Sequence, residues 1–203
     1  MDKEDFCNKY LDLIGNQYSG INLTRITDLE EFKVKQYEDS ISILKYFKND
    51  LVAASKVIDI GFGGGFPILP LANELKSQKF IGLEARNKKV ITVGEISKEL
   101  GLFNTEFQHC RYQDYDFNNG DIVITKAVGK VTDILNAMST RKEIIVIFYK
   151  GPKYFTEEAL MLQTINKKWK KIILEKYNLS NGDERVIVGY KNVPRGTKQK
   201  SNK

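Results

Sequence analysis

One segment of this 203-residue chain combines residue types that can hold a ligand containing a nucleoside, and it reads VIDIGFGGGFP from Val57 to Pro67. An apolar run is followed by a glycine-rich turn. Pro67 then suits the first turn of a helix, because its fixed φ and missing N–H cost nothing there. Glycines adopt positive φ and let the backbone approach a ligand closely. The segment therefore predicts a strand, a tight turn and a helix, with the turn lying against an adenosine and amino-acid moiety.

The spacing of the glycines decides between cofactor classes. A dinucleotide fingerprint needs G-x-G-x-x-G, but Phe66 or Ile68 stands where the last glycine is required. The chain also has no G-x-x-x-x-G-K-[ST] sequence, which excludes a P-loop nucleotidase. What remains is D-x-G-x-G-x-G over residues 59–65, a pattern typical of class I methyltransferases that use S-adenosylmethionine.

A second candidate is Glu84, which ends the next apolar run after the glycine-rich segment. In a Rossmann-like fold, an acid at the end of the second strand accepts hydrogen bonds from ribose hydroxyls. Carboxylates at strand ends also occur as helix caps, so the position alone leaves both roles open. Next to the glycine-rich turn, ribose binding is the favoured role.

These residues need a scaffold, and the sequence indicates one from residue 57 onward. Short β-branched runs alternate with helical stretches, which is typical of βαβ units and a parallel sheet. Helices are predicted at residues 68–77, 87–100, 130–139 and 155–167. The fold class is therefore α/β and Rossmann-like, with a mostly parallel sheet that ends in an antiparallel C-terminal hairpin. Its seven strands are predicted at residues 57–60, 79–83, 105–109, 121–125, 143–149, 171–176 and 185–190.

Two amphipathic helices are predicted ahead of the sheet. The first covers residues 3–15 and ends at Gly15, a natural helix stop. The second is capped by Asp28 or by the hydroxyl of Thr27, and its apolar positions continue to Phe47. We therefore divide the chain into an N-terminal helical cap, a Rossmann-like methyltransferase domain and a basic, flexible tail, at residues 1–50, 51–193 and 194–203.

Composition and charge limit the kinds of partner. Hydrophobic residues make up 41% of the chain and charged residues 29%, and no apolar run approaches the roughly 20 residues that span a bilayer, so no membrane partner is expected. The acidic start lacks the features of a secretion signal, which predicts a cytoplasmic protein. The net charge of +6 favours a polyanion such as nucleic acid. The basic tail is expected either to solubilise the chain or to grip RNA.

Soft-metal chemistry is not expected. The chain contains only Cys7, Cys110 and the single histidine His109, too few residues for a disulfide framework or a zinc cluster. Both cysteines are predicted to be inert and partly buried. Nothing in the sequence requires more than a monomer.

The sequence resembles the RsmG family, also called glucose-inhibited division protein B, whose bacterial members methylate N7 of a guanine in small-subunit ribosomal RNA. The resemblance runs from about Asn22 to Tyr190 and is therefore far more specific than the glycine-rich turn alone. Beyond that turn, it is carried by Asn22-Leu23-Thr24, Asp39-Ser40, Pro70-Leu71, Asn87-Lys88-Lys89, Arg111-Tyr112-Gln113, Lys126-Ala127 and Asp183-Glu184-Arg185.

Together, the turn and the resemblance imply a set of residues for S-adenosylmethionine. Tyr112 and Gln113 are implied to flank the adenine, and Lys126 to lie beside both cofactor and substrate. Residues that follow the third and fourth strands lie at the carboxyl edge of the sheet, where open α/β folds bind ligands. The predicted cofactor-binding residues are Asp59, Gly61, Gly63, Gly65, Phe66, Glu84, Tyr112, Gln113 and Lys126.

Three positions depart from the family pattern. The family usually has arginine where this chain has Lys126, glutamate where it has Gln113, and histidine where it has Gln36. Lysine keeps the charge but loses the planar bidentate fork of arginine. Glutamine still accepts a hydrogen bond from an adenine amino group. The change at Gln36 leaves the role of the second helix in substrate binding open.

The implied reaction needs positioning rather than proton transfer. Guanine N7 carries a lone pair and no proton, so its attack on a sulfonium methyl requires no general base. Catalysis then rests on alignment in a desolvated pocket. Three residues are predicted as catalytic: Lys126 and Arg185 near the target nucleotide, and Arg111 either supporting them or gripping a phosphate. Each also fits a salt-bridged surface residue. Phe62 or Phe66 is predicted to stack on a presented base.

The resemblance thus implies methylation of 16S rRNA, in the small subunit or in an assembly intermediate. Two alternatives stay open, namely a methyltransferase that acts on a protein or small molecule, and a non-catalytic RNA-binding module. The motifs outside the glycine-rich turn and the basic charge argue against the first. The second is disfavoured by the intact acid and glycine positions at residues 59, 61, 63, 65 and 84.

Overall fold

The central feature is a sheet with the strand order β3-β2-β1-β4-β5-β7-β6, seen in a computed structural model that describes residues 1–158, 164–165 and 167–192. Strands β1 to β5 pair in parallel, whereas β7 pairs antiparallel with both β5 and β6. This confirms the predicted seven-stranded, mostly parallel sheet with its antiparallel C-terminal hairpin. The strands are β1 Val57–Ile60, β2 Phe80–Glu84, β3 Thr105–His109, β4 Ile122–Lys126, β5 Ile145–Lys150, β6 Trp169–Asn178 and β7 Glu184–Asn192.

Burial along the strands explains their composition. Every residue of β1 is buried. In β4 all residues are buried except the last, Lys126, which is half-buried. Such strands are apolar throughout because helices cover both faces of a parallel sheet. The edge strand β6 is mostly exposed and carries several lysines, and charge on an edge strand discourages pairing with another chain.

The helices follow the predicted alternation with the strands. After β1, β2 and β4 come α5 Ile68–Glu74, α6 Asn87–Glu99 and α7 Val131–Ala137. Of the predicted helix 155–167, the structure shows a π-helical segment, Tyr154–Glu158, and most of the remainder lies outside the described residues. The predicted tail 194–203 also lies outside them.

The second predicted helix forms as a run of consecutive segments whose junction residues keep helical backbone angles. Asp28 caps it as predicted, since its carboxylate accepts a hydrogen bond from the Glu31 N–H at 2.8 Å. Ser40 and Ser42 then donate to backbone carbonyls of preceding residues, and such bonds bend helices. After α1 Lys3–Gly15, the segments are α2 Leu29–Phe32, the π-helical segment Lys33–Glu38, α3 Asp39–Ile41 and α4 Leu44–Ala53.

Two features are absent from the described residues. No helix in this part of the chain is long and apolar enough to cross a membrane. Nor do these residues include a group of three or more His, Cys, Asp or Glu side chains placed to hold a metal ion.

The N-terminal helices share a buried core with the glycine-rich turn. The Tyr10 and Phe32 rings lie 5.0 and 5.4 Å from the Phe66 ring. The Tyr10 hydroxyl also donates a buried hydrogen bond of 2.7 Å to the Gly64 carbonyl. Helices α1 and α2 therefore hold the turn from the side opposite the sheet.

Replacing Tyr10 with phenylalanine tests this support. Tyr10→Phe leaves the ring in place but removes the donor to the Gly64 carbonyl, so we expect the free energy of unfolding to fall by about 1–3 kcal/mol. Urea unfolding measures the change. Tyr46→Phe is the matched control, because no hydrogen bond of the Tyr46 hydroxyl is seen within the described residues. Equal losses in the two variants contradict the assignment.

Candidate functional site

The glycine-rich turn, which lies between β1 and α5, is held by short backbone hydrogen bonds to β2 and within the turn itself. The Gly61 N–H donates to the Leu83 carbonyl at 2.7 Å, and the Gly65 N–H donates to the Phe62 carbonyl at 2.8 Å. Gly61 and Gly63 have φ of +68° and +58°, values that residues with a side chain rarely adopt. The backbone path of this turn therefore requires glycine.

Steric room differs from one glycine to the next. A Cβ atom on Gly65 would lie 2.4 Å from Leu69, and one on Gly64 would lie 2.6 Å from the carbonyl oxygen of Leu23. On Gly63, a Cβ atom would meet nothing closer than 3.9 Å. At Gly65 close packing leaves no room for a side chain. At Gly63 the backbone faces open space.

Asp59 lies inside the fold and not on a ligand-facing surface. Its side chain is fully buried, and its Oδ2 accepts a hydrogen bond of 3.1 Å from the Ile68 N–H at the start of α5. Burial raises the pKa of the Asp59 carboxyl well above its ordinary value. Asp59 and Gly65 were predicted to contact a cofactor. In the structure neither residue lines the cavity described below, and both shape the turn from behind.

A cavity of about 560 Å³ opens at the carboxyl edge of the sheet, a size typical of small-molecule sites. Of the predicted site residues, it is lined by Gly61, Gly63, Phe66, Glu84, Arg111, Tyr112, Gln113 and Lys126. Sequence reasoning missed a further group of lining residues, several of which belong to the family motifs or adjoin them. These are Leu23, Gln36, Gly64, Leu83, Ala85, Arg86, Lys89, Cys110, Ala127 and Val128.

Glu84 is held in place by backbone donors. Its Oε2 accepts a hydrogen bond from the Gly63 N–H at 3.3 Å, and its Oε1 accepts one from the Arg86 N–H at 3.0 Å. Neither donor belongs to the body of α6, so Glu84 does not act as a cap of that helix. The carboxylate is fixed beside the turn, where it can accept hydrogen bonds from hydroxyl groups of a ligand.

Lys126 ends β4 on the opposite side of the turn from Glu84. Its Nζ lies 2.7 Å from Oδ2 of Asp39 and donates to the Lys35 carbonyl at 3.0 Å. Burial lowers the pKa of the Lys126 ammonium, and the Asp39 carboxylate opposes that shift. The next residue, Ala127, has φ of +60°, and backbone strain of this kind is often found at functional sites.

Arg185 does not line the cavity but reaches Lys126 through Asp39. The Arg185 Nε lies 3.6 Å from Oδ1 of Asp39, and the Tyr177 hydroxyl donates to the same oxygen at 3.0 Å. Asp39 itself is only 3% exposed. One buried carboxylate therefore joins two of the predicted catalytic residues, and no sequence motif assigned it a role.

The predicted stacking of a base on Phe62 or Phe66 needs correction. Phe62 is 1% exposed and packs against the ring of Phe107 at 5.1 Å. Phe66 is 7% exposed and packs edge-on against Tyr10 and Phe32. Both rings border the cavity, but a base can stack on neither without displacing these contacts.

Comparison with known proteins gives two kinds of similarity. The family model described as rRNA small subunit methyltransferase G matches residues 3–187. A ribosomal RNA small subunit methyltransferase G of Solibacter usitatus is 33% identical over 154 residues, which cover 74% of this chain and 71% of the relative. Another of this name, from Streptococcus thermophilus, is 29% identical over 202 residues, covering 91% and 81%.

Solved structures show the same fold at low identity. Magnesium protoporphyrin IX methyltransferase from Synechocystis, solved with bound S-adenosylmethionine, has a TM-score of 0.63 and 16% identity over 95% of this chain and 98% of the other. TrmN from Thermus thermophilus has a TM-score of 0.54 and 12% identity, covering 76% of this chain and 48% of that one. At these identities the similarity shows the fold alone.

Removing the Asp59 charge tests the structural role of this residue. A carboxyl whose pKa is raised in the folded state binds its proton more tightly there, so its contribution to stability is lost as the pH rises from about 4. Asp59→Asn keeps an acceptor for the Ile68 N–H but does not titrate. The Tm of Asp59→Asn minus the Tm of wild type is therefore expected to increase by several degrees from about pH 5 to about pH 8. The exposed Asp50→Asn serves as control, and a pH-independent difference for Asp59→Asn contradicts the assignment.

Proposed function

Because the chain belongs to the rRNA small subunit methyltransferase G family, we propose that it transfers a methyl group from S-adenosylmethionine to N7 of a guanine in 16S rRNA. The observation that carries this proposal is the cavity at the carboxyl edge of the sheet. Its walls combine a bare glycine backbone, a fixed carboxylate and a largely buried lysine. We assign the cofactor and the reacting base to this cavity.

The strand order supports one orientation of the cofactor along the cavity, from its adenine to its amino-acid half. Strands β3, β2, β1 and β4 are neighbours, so the residues at their ends follow one another along the cavity. We assign the adenine to Tyr112 and Gln113 after β3, and the ribose to Glu84 at the end of β2. The amino-acid half then lies at Gly63, and the reacting sulfur faces Lys126 at the end of β4.

The residues of the cavity fit this cofactor. A side chain at Gly63 would fill space that the cofactor needs, and the turn leaves that space open. The Glu84 carboxylate is oriented in advance, so little conformational entropy is lost when it accepts a ribose hydroxyl. When bound, S-adenosylmethionine supplies an electrophilic methyl group on a positively charged sulfur.

The charges around the cavity fit methylation of a lone-pair nitrogen in RNA. Glu84 is the only acidic residue among the described residues that line the cavity, which agrees with a reaction that needs no general base. Four basic side chains, Arg86, Lys89, Arg111 and Lys126, also line it. Basic groups around a pocket attract the phosphates that flank a presented nucleotide. We therefore assign Arg111, Arg86 and Lys89 to RNA phosphates.

The N-terminal region and the cellular setting extend the proposed function. We infer that residues 1–50 act as a cap on the catalytic domain, 51–193, since Leu23 and Gln36 complete the cavity wall. We further propose that the protein acts as a monomer in the cytoplasm, on the small subunit or on an assembly intermediate. A protein or small-molecule substrate is disfavoured because the relatives named above are ribosomal RNA methyltransferases.

The role of Glu84 is tested by cofactor binding. Glu84→Gln retains the shape of the side chain but removes the charge that strengthens its hydrogen bonds to ribose hydroxyls. Calorimetry is expected to show a loss of affinity of about 10- to 100-fold for S-adenosylmethionine and S-adenosylhomocysteine alike, roughly 1.4–2.8 kcal/mol. Glu106→Gln on the edge strand β3 is the control. Unchanged affinity in Glu84→Gln contradicts the ribose assignment.

The reaction itself is tested on ribosomal particles. Small subunits that lack the modification are incubated with the protein and labelled S-adenosylmethionine, and the nucleosides are separated after digestion. We expect label in 7-methylguanosine, and none with the Gly63→Leu variant, whose side chain fills the cavity. Label in another nucleoside overturns the N7 assignment. Label in the ribosomal proteins favours the alternative of a protein substrate.

A further inference from the structure

The buried carboxylate of Asp39 lies behind the wall of the cavity. Asp39 does not line the cavity, yet its carboxylate receives the Lys126 ammonium, the Arg185 guanidinium and the Tyr177 hydroxyl. A carboxylate that is 3% exposed is tolerated only when partners compensate its lost hydration. The partners of this carboxylate come from parts of the chain far apart in sequence.

Lys126 places a positive charge beside a ligand that is positively charged as well. In methyl transfer, the N7 lone pair forms the new N–C bond while the electron pair of the C–S bond stays on sulfur. The positive charge thus moves from sulfur to the purine, and the cavity holds one cationic ligand both before and after the step. Repulsion between like charges in a partly buried site is strong enough to change an affinity by an order of magnitude.

We propose that Asp39 is a positioning residue that balances this charge. Its carboxylate holds the Lys126 ammonium against the Lys35 carbonyl and offsets the ammonium charge, so that the cavity accepts first the sulfonium and then the cationic methylated base. The inference rests on the proposed assignment of the cavity to S-adenosylmethionine. It is independent of which RNA is methylated.

Other acids near Lys126 are weaker candidates for this role. Asp59 lies behind the glycine-rich turn, makes its hydrogen bond to the start of α5, and has a raised pKa that disfavours its charged form. Glu84 lies on the far side of the turn and is engaged by two backbone N–H groups. Among the described acids, only Asp39 is paired directly with the Lys126 ammonium.

The test compares two ligands that differ in charge. S-adenosylmethionine carries the sulfonium, whereas S-adenosylhomocysteine lacks the methyl group and the positive charge. Calorimetry gives the Kd of each for wild type, for Asp39→Asn, and for the control Glu38→Gln, which removes a neighbouring acid that contacts Ser180. We expect Asp39→Asn to weaken binding of S-adenosylmethionine about tenfold more than that of S-adenosylhomocysteine. Glu38→Gln is expected to leave the ratio unchanged.

If Asp39→Asn weakens the binding of both ligands equally, or changes neither, the ratio of the two Kd values is unchanged. That result shows a purely structural role for Asp39 and overturns the proposal. If Asp39→Asn does not fold, Lys126→Met decides instead. Removing the ammonium while Asp39 stays is expected to shift the ratio about tenfold in the opposite direction, and an unchanged ratio in that variant overturns the proposal. The double variant is expected to restore the wild-type ratio. Failure of wild type to bind either ligand overturns the proposed function instead.

Discussion

The contact of the Asp39 carboxylate with Lys126 and Arg185 is the constraint on which the arrangement of the site depends. It joins the N-terminal helices, the end of β4 and the start of β7 at one point. Removing one partner from a buried ion pair leaves an uncompensated charge, which costs about 3–5 kcal/mol. These three regions therefore have one favourable relative arrangement, and that arrangement sets the wall of the cavity next to Lys126.

The opposite wall depends on the glycine-rich turn, which is fixed from two sides. Asp59 holds the start of α5 from within the sheet, and Tyr10 holds the Gly64 carbonyl from α1. Leu23 and Gln36, from the N-terminal region, then close the cavity. The helices that precede the sheet are thus part of the site, and the Rossmann-like strands alone do not complete it.

Much of this arrangement could be predicted from the sequence, because parallel strands bring their carboxyl ends to one edge and glycine spacing selects the kind of turn. Spacing does not reveal which residues of a motif line the cavity, and of the predicted cofactor-binding residues Asp59 and Gly65 do not line it. The π-helical segment of the second helix and the bonds from Ser40 and Ser42 to its backbone are features that periodicity cannot show. The role of Asp39 depends on partners far away in the chain, beyond the reach of any local pattern.

A double-mutant cycle of unfolding free energies tests most directly whether this ion pair joins the N-terminal helices to the cavity. Asp39→Asn, Lys126→Met and the double variant are unfolded with urea alongside wild type. We predict a coupling of about 1–3 kcal/mol and a double variant more stable than Asp39→Asn alone, because the unpaired ammonium is gone. Additive effects of the two substitutions contradict this prediction.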